Sequence, residues 1–401
     1  MPPTSLKKAS AATAGVDYRT RVRELAPLMY ASGAAIDENR EIPEKLIDGL
    51  IDAGLFRMLL PRSLGGAELR PTQYVPVIED IAKLNGSVAW CVNQNSGCSM
   101  TSAYLSPEAA EEIFGGPRGI LAWGPGPGEA RVEPGGYRVN ATWAFASGSH
   151  HSSWLGCHVP VIEPDGSPRL DRDGNPAVRT MLFPKSSTQF TDIWHTLGLR
   201  GTGSDQWSVK DLFVPEQHTL RAPSRGGDSV SREDGLLYRF SNLLLYAAGF
   251  GSVAMGLARS MLGSFIELAR DKIPRGARVT MRDNNVTQFQ VAHAQAKLDS
   301  ARAYLLNTLA DTEAGAAQRG HVTLDERIAI RLAASYAIEQ AVEVADMLYQ
   351  AAGATAIFNV NPFERPFRDV HTVAQQLQGR QEHFENVGRH LMGLQPDTSW
   401  F

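Results

Sequence analysis

The sequence predicts a mainly α protein with a central β domain. Three observations carry this. Apolar residues recur at helical spacing over 16–118 and again over 236–395. Between them, over 119–235, glycine and proline are dense and short β-prone runs repeat. The order is helices, then strands, then helices, and few layer architectures accept that order.

The first block, 16–118, reads as an N-terminal helical domain. "DYRTRVRELAPLMYASG" places Val22, Leu25, Leu28 and Met29 on one helical face. "IPEKLIDGLIDAGLF" has Pro43 in its first turn and stops at Gly54. "PTQYVPVIEDIAKLNGSVAWCVNQNSGCSMTSAYL" reads as two helices broken at Asn85-Gly86. "SPEAAEEIFGG" offers Ser106 as cap, Pro107 at the first position and a glycine stop. Residues 1–15 read as a disordered tail.

The middle block, 119–235, reads as a small antiparallel β domain built from "GILAW", "GYRVNATWAFAS", "SWLGCHVPVI", "VRTMLFP" and "QWSVKDLFVP". The last block, 236–395, reads as a C-terminal helical bundle of three long helices and a final helical stretch over 366–392.

Composition excludes several classes. The net charge is −4 and no Lys/Arg-rich run appears, which argues against a nucleic-acid partner. No stretch approaches ~20 uninterrupted apolar residues, so no membrane span is expected. Three cysteines, an odd number with no C-x-x-C pair, fit reduced thiols in a cytoplasm. The opening residues hold no apolar run of signal-peptide length.

The densest chemistry lies at 143–154, "WAFASGSHHSSW". A serine hydrolase would need a nucleophile elbow, and G-x-S-x-G is absent. A metal site would need paired ligands, and His150, His151 and His158 have no H-x-x-x-H or H-E-x-x-H partner spacing. No metal is expected. "GPGPGEA" at 124–130 is interrupted by prolines and precedes no helix, so it is neither a P-loop nor a dinucleotide fingerprint.

Two further stretches decide between these readings. "LRGTGSDQWSVKDLFVP" at 199–215 follows "DIWHTLG", and "YQAAGATAIFNVNPFERPFRDVHTVAQ" spans 349–375. With the helix–β–helix order, they resemble the acyl-CoA dehydrogenase superfamily over roughly 20–392. The resemblance implies an acyl-CoA dehydrogenase fold, with an N-terminal helical domain, a small β-barrel-like domain and a C-terminal four-helix bundle. It implies a flavin, FMN or FAD, between the β domain and the bundle, and a homotetramer in which a neighbouring subunit touches the cofactor.

On that resemblance "WAFASG" is similar to the family's flavin strand. Ser147 and Gly148 would then offer hydroxyl and backbone donors to the flavin ring edge, Ser147 near N5. Trp123 would contact the other edge. For Trp143 and Phe145 the rival reading is β-domain core. Gln350 and Gly353 match the family's Q-x-x-G segment. Arg275 and Arg278, in "IPRGARVTMR", would hold a flavin phosphate or lie on a solvated loop. Glu364, Arg365, Arg368 and Asp369 would form ion pairs and helix caps.

A dehydrogenase of this family needs a carboxylate base over the substrate carbon. One family position follows the R-D pair, in an E-G-T setting; here Leu377 or Gln378 stands there. The other opens the first bundle helix; here Ser241 or Asn242 is nearest. Neither carries an acid, and Glu382 and Glu385 lie further along. The flavin-dependent monooxygenase branch is similar without that glutamate. It takes reduced flavin from a separate reductase and adds oxygen at the flavin C4a carbon. By that resemblance Trp194 would wall the oxygen pocket, and Asn93 or Asn95 would face the small-molecule substrate or solvent. The branch often places a histidine shortly after the R-D pair. Gln376 stands there, with His371 and His383 as possible substitutes. Trp90, Trp123 and Trp194 suggest an aromatic or otherwise apolar substrate. A dehydrogenase with a displaced base and a non-enzymatic flavin- or ligand-binding scaffold are the alternatives.

Overall fold

The computed structural model describes residues 16–172, 174–221 and 231–398. The tail expected over 1–15 lies outside them. Five helices open the chain: α1 (Tyr18–Asn39), α2 (Glu44–Asp52), α3 (Pro71–Leu84), α4 (Gly86–Ser99) and α5 (Pro107–Phe114). Their ends follow local chemistry. The Asp17 carboxylate accepts from the backbone N–H groups of Arg19 and Thr20 and starts α1. Asn85 ends α3 through its N–H to the Ile81 carbonyl, and its side chain accepts from Val88 N to start α4. Ser106 caps α5 with Pro107 at the first position.

Eight strands follow: β1 (Leu121–Trp123), β2 (Gly128–Glu133), β3 (Gly136–Trp143), β4 (Trp154–Ile162), β5 (Val178–Pro184), β6 (Gln189–Thr191), β7 (Gln206–Pro215) and β8 (Thr219–Arg221). Their order is β6-β7-β3-β2-β4-β5-β8, with β1 on β4. The sheet is not purely antiparallel. β4 pairs parallel with both β1 and β2. Residues 144–153 carry the chain past β2 to its far side while reversing its direction, so β4 runs opposite to β3 and therefore parallel to β2. Trp143 and Trp207 face each other across β3 and β7, rings 4.6 Å apart, in the core of this domain.

The bundle comprises α6 (Asn242–Asp271), α7 (Asn285–Arg319), α8 (Leu324–Ala352), α9 (Glu364–Gln375) and α10 (Glu382–Leu391). The final helical stretch is divided, because a short 3-10 turn after Gln376 separates α9 from α10. α6 is central. It is long and apolar enough to cross a bilayer, yet most of that stretch is buried inside the protein. Its small residues let neighbours approach: a Cβ on Gly256 would lie 2.5 Å from both the Ala82 Cβ and the Glu79 carbonyl oxygen on α3. Apolar residues of α1, α3, α4, α6 and α8 form one continuous core.

Candidate active site

β3 ends at Trp143, so "AFASGSHHSS" leaves the sheet as a compact turn. Phe145 adopts a left-handed backbone (φ 59) and remains 61% exposed. This conformation costs about 1–3 kcal/mol in a residue with a side chain. Its ring stands edge-on to Trp194 at 6.0 Å. Gly148 is also left-handed (φ 78). A Cβ there would meet Asn95 Oδ1 at 2.4 Å, so only glycine fits against α4.

Ser147 is buried and belongs to a one-way hydrogen-bond chain. Thr202 Oγ1 donates to the Leu199 carbonyl at 2.9 Å. With that proton spent, the Ser204 hydroxyl must donate to Thr202 at 2.7 Å, and Ser147 must donate to Ser204 at 2.7 Å. Trp90 Nε1 in turn donates to Ser147 Oγ at 2.8 Å. The donor expected of the Ser147 hydroxyl is therefore already committed, and what it retains is a lone pair.

The two histidines divide. His150 sits between Glu41 (2.9 Å) and Asp205 (2.8 Å). The other Asp205 oxygen accepts from the N–H groups of Ile193 and Trp194. Arg40 grips Asp192 with both terminal nitrogens, at 2.5 and 2.7 Å. These contacts pin the Trp194 segment to the N-terminal helices, and Trp194 Nε1 closes it by donating to the Leu199 carbonyl. A cleft of about 450 Å³ between Arg40, His150, Lys185, Phe190 and Asp192 lies alongside. His151 is half-buried, and desolvation pushes its imidazole down to about 3. It pairs with Asn95 Oδ1 at 3.0 Å. Ser149, Ser152 and Ser153 donate to main-chain carbonyls, so the segment assembles no Ser-His nucleophile.

Trp123 is buried at the end of β1, edge-on to His158 at 4.9 Å. Burial holds the His158 imidazole at about 4. The α4 asparagines are both buried, away from solvent. Asn93 Oδ1 accepts from the Tyr74 hydroxyl at 2.9 Å and its side chain packs on Gly249 of α6. Asn95 Nδ2 donates to the Leu121 carbonyl. Gln94, between them, is the α4 residue left partly exposed, and it meets Tyr246 of α6. Neither Gln94 nor Tyr246 stands out in the sequence. Adjacent polar residues on a helix are alike until the neighbouring helix is in place.

The remaining candidates are spread along the bundle, some at the C-terminal end of α8 and others beside Arg331 near its N-terminal end. Arg275 and Arg278 are exposed, with no carboxylate within ion-pair distance among the described residues. They flank a cleft of about 300 Å³ that reaches Ala351, next to Gln350. Lys272 donates to the Ala352 carbonyl and Thr355, which fixes the turn at Gly353 (φ 60). Gln376 is a cap: its Oε1 accepts from Gln378 N at 2.7 Å. His371 pairs with Asp346 at 2.9 Å and lies against Phe367, both within the bundle. His383 is buried and bonds the Leu377 carbonyl.

The ion-pair reading of "ERPFRD" matches the geometry. Arg368 bridges Glu364 and Asp37, and Asp369 accepts from Leu199 N at 2.6 Å. At the dehydrogenase base positions, Gln378 is buried against Arg331, and Ser241 caps α6. Glu382 and Glu385 lie exposed on α10. An aromatic pair, exposed Phe145 and half-buried Trp194, beside a buried polar chain suits the flat, amphipathic ring of a flavin.

Comparison with known proteins agrees. Residues 16–114 match the acyl-CoA dehydrogenase N-terminal domain, and residues 248–379 match the acyl-CoA dehydrogenase C-terminal domain. The chain belongs to the acyl-CoA dehydrogenase family. Among its relatives is an indole-3-acetate monooxygenase of Pseudomonas putida, 29% identical over 90% of each chain. Another is the flavin-dependent monooxygenase oxygenase subunit HsaA of Rhodococcus jostii, 26% identical over 88% of this chain and 91% of that one. The crystal structure of the HsaA monooxygenase from M. tuberculosis superposes with a TM-score of 0.85 at 26% identity, covering 96% of this acyl-CoA dehydrogenase-family chain and 99% of the other.

Proposed function

We propose that this protein is the oxygenase component of a two-component flavin-dependent monooxygenase. It takes reduced FMN or FAD from a separate reductase and oxygenates an aromatic or otherwise apolar small molecule. One observation carries the reading. Both family positions for a dehydrogenase base hold neutral side chains with structural partners, Gln378 on Arg331 and Ser241 as a helix cap. The names of the relatives, an indole-3-acetate monooxygenase and an oxygenase subunit, support it.

When bound, the reduced flavin supplies the two electrons that activate O2. The chain supplies position and shelter. Phe145 and Trp194 would lie against the ring and keep water from it. Ser147, fixed by Trp90 and Ser204, presents an oriented oxygen. Arg275, Arg278, Gln350 and Gly353 would serve the cofactor of a neighbouring subunit in a homotetramer. Exposed Val279, Val286, Phe289, Ile357 and Phe358 support such an interface. Buried, unpaired Cys91, Cys98 and Cys157 suit the cytoplasm.

The test supplies the purified protein with a flavin reductase, NADH, FMN or FAD, and ¹⁸O2, over a panel of phenols and indoles. Incorporation of one labelled atom into a product is expected. Anaerobic reduction of tightly bound flavin by an acyl-CoA, with no labelled product, would overturn the reading in favour of a dehydrogenase.

A further inference from the structure

This inference rests on the monooxygenase reading and narrows its substrate class. α4 runs through the protein interior, and every residue of it except Gln94 is buried. Trp90, Gln94 and Cys98 are spaced four apart, so they form one stripe along the helix. Facing them, Tyr246 and Phe250 form the matching stripe on α6. Phe250 stacks on Trp90 at 4.0 Å, and Tyr246 stacks on Phe250 at 5.8 Å with 15° between planes. The Tyr246 ring is admitted by Gly97, where a Cβ would lie 2.2 Å from its Cε1. Trp123 of β1 lies beside the Tyr246 hydroxyl. The partly exposed Gln94 thus lies beside a cluster of aromatic rings, and Trp90 ties that cluster to Ser147.

The orientation of the Gln94 amide follows from its neighbours. The Tyr246 hydroxyl donates its one proton to the Gln94 main-chain carbonyl at 3.2 Å, which leaves the Cys98 thiol, 3.3 Å away, to donate to it. The hydroxyl can then only accept from the Gln94 side chain, whose Nε2 approaches it at 3.4 Å and Cys98 Sγ at 3.7 Å. Oε1 is the atom left over. It has no hydrogen-bond donor among the described residues. A flat molecule in an aromatic niche leaves this acceptor satisfied only if it carries a donor on its ring.

We propose that Gln94 is a specificity-determining residue, whose Oε1 accepts a hydrogen bond from the ring-borne O–H or N–H of a flat aromatic substrate packed among Trp90, Trp123 and Tyr246. Methylation of that donor leaves a sheltered acceptor unpaired, which costs on the order of tenfold in affinity.

Isothermal titration calorimetry of the full chain with indole against 1-methylindole, and phenol against methoxybenzene, tests this without flavin. Wild type is expected to favour the unmethylated member of at least one pair by on the order of tenfold. The pair that discriminates tells N–H from O–H recognition. In Gln94→Leu, and in the more flexible Gln94→Met, the preference is expected to vanish while the methylated compound binds as before. Equal binding within both pairs by wild type, or an undiminished preference in a folded Gln94 variant, overturns the proposal. So does failure of all four compounds to bind a protein that binds reduced flavin. Failure to bind reduced flavin would strike the monooxygenase reading instead.

Discussion

Trp90 Nε1 donates to the Ser147 hydroxyl at 2.8 Å, joining the middle of α4 to the turn that leaves β3. The bond makes Trp90 part of two systems. Its ring stacks on Phe250 and belongs to the aromatic niche, while its N–H heads the chain that runs through Ser147, Ser204 and Thr202 to the Leu199 carbonyl.

Trp90→Phe keeps a ring against Phe250 and removes the leading donor. A loss of about 1 kcal/mol is expected in urea unfolding. Ser147→Ala strands the Trp90 N–H in a buried site and costs about 1–3 kcal/mol. It is also expected to weaken reduced-flavin binding more than Trp90→Phe does, as measured by anaerobic titration.

Glycines that admit neighbours differ from a glycine that admits none. Gly97→Ala drives a Cβ into the Tyr246 ring, and Gly249→Ala drives one to 1.8 Å from Asn93 Oδ1. Each is expected to cost about 1–3 kcal/mol by overpacking. Gly263 lies on the exposed side of the same α6, and a Cβ added there would meet nothing within 4 Å. Gly263→Ala is expected to stabilise by about 0.5–1 kcal/mol through helix propensity. Thermal and urea unfolding of the three variants check the contrast.

Burial pushes the Asp369 carboxyl up to about 7, from an ordinary 3.8. The folded protein then holds this proton more tightly than the unfolded chain does. Its contribution to stability is full below the ordinary value and is lost as pH rises through about 7. The slope between is at most about 1.4 kcal/mol per pH unit. Asp369→Asn keeps an oxygen for Leu199 N and removes the titration. It is expected to gain stability over wild type at pH 8 and to lose that advantage toward pH 4, by urea unfolding at each pH.

His151 and His158 act in the opposite sense. Burial lowers them to about 3 and about 4, so the folded protein refuses protons that the unfolded chain accepts below about 6.5. Their contribution is present above 6.5 and lost as pH falls toward 4. His151→Gln can still donate to Asn95. Its unfolding free energy is expected to fall less than that of wild type between pH 7 and pH 5.

Helix and strand positions are legible in the sequence because their causes are local. Caps such as Ser106, breaks such as Asn85 and the apolar spacing of α1 act within a few residues. β2 escapes a reading of the sequence because "GEARVE" is polar and follows a run of Gly and Pro. The β4 crossover escapes it because strand direction depends on a partner far along the chain.

At the site, the sequence by itself determined which residue types stand where: neutral side chains at both family base positions, no G-x-S-x-G run and no paired-histidine spacing. It also supplied the segments that mark the family. Only the tertiary structure decided which polar side chain of "NQN" reaches the niche. Successive residues of a helix point about 100° apart. Gly249 takes up Asn93 and the β3–β4 turn takes up Asn95, and Gln94 is left to face Tyr246. Likewise the Ser147 proton is directed by Ser204 and Thr202, 57 and 55 residues away, because a hydroxyl rotates to whatever acceptor the fold brings within reach.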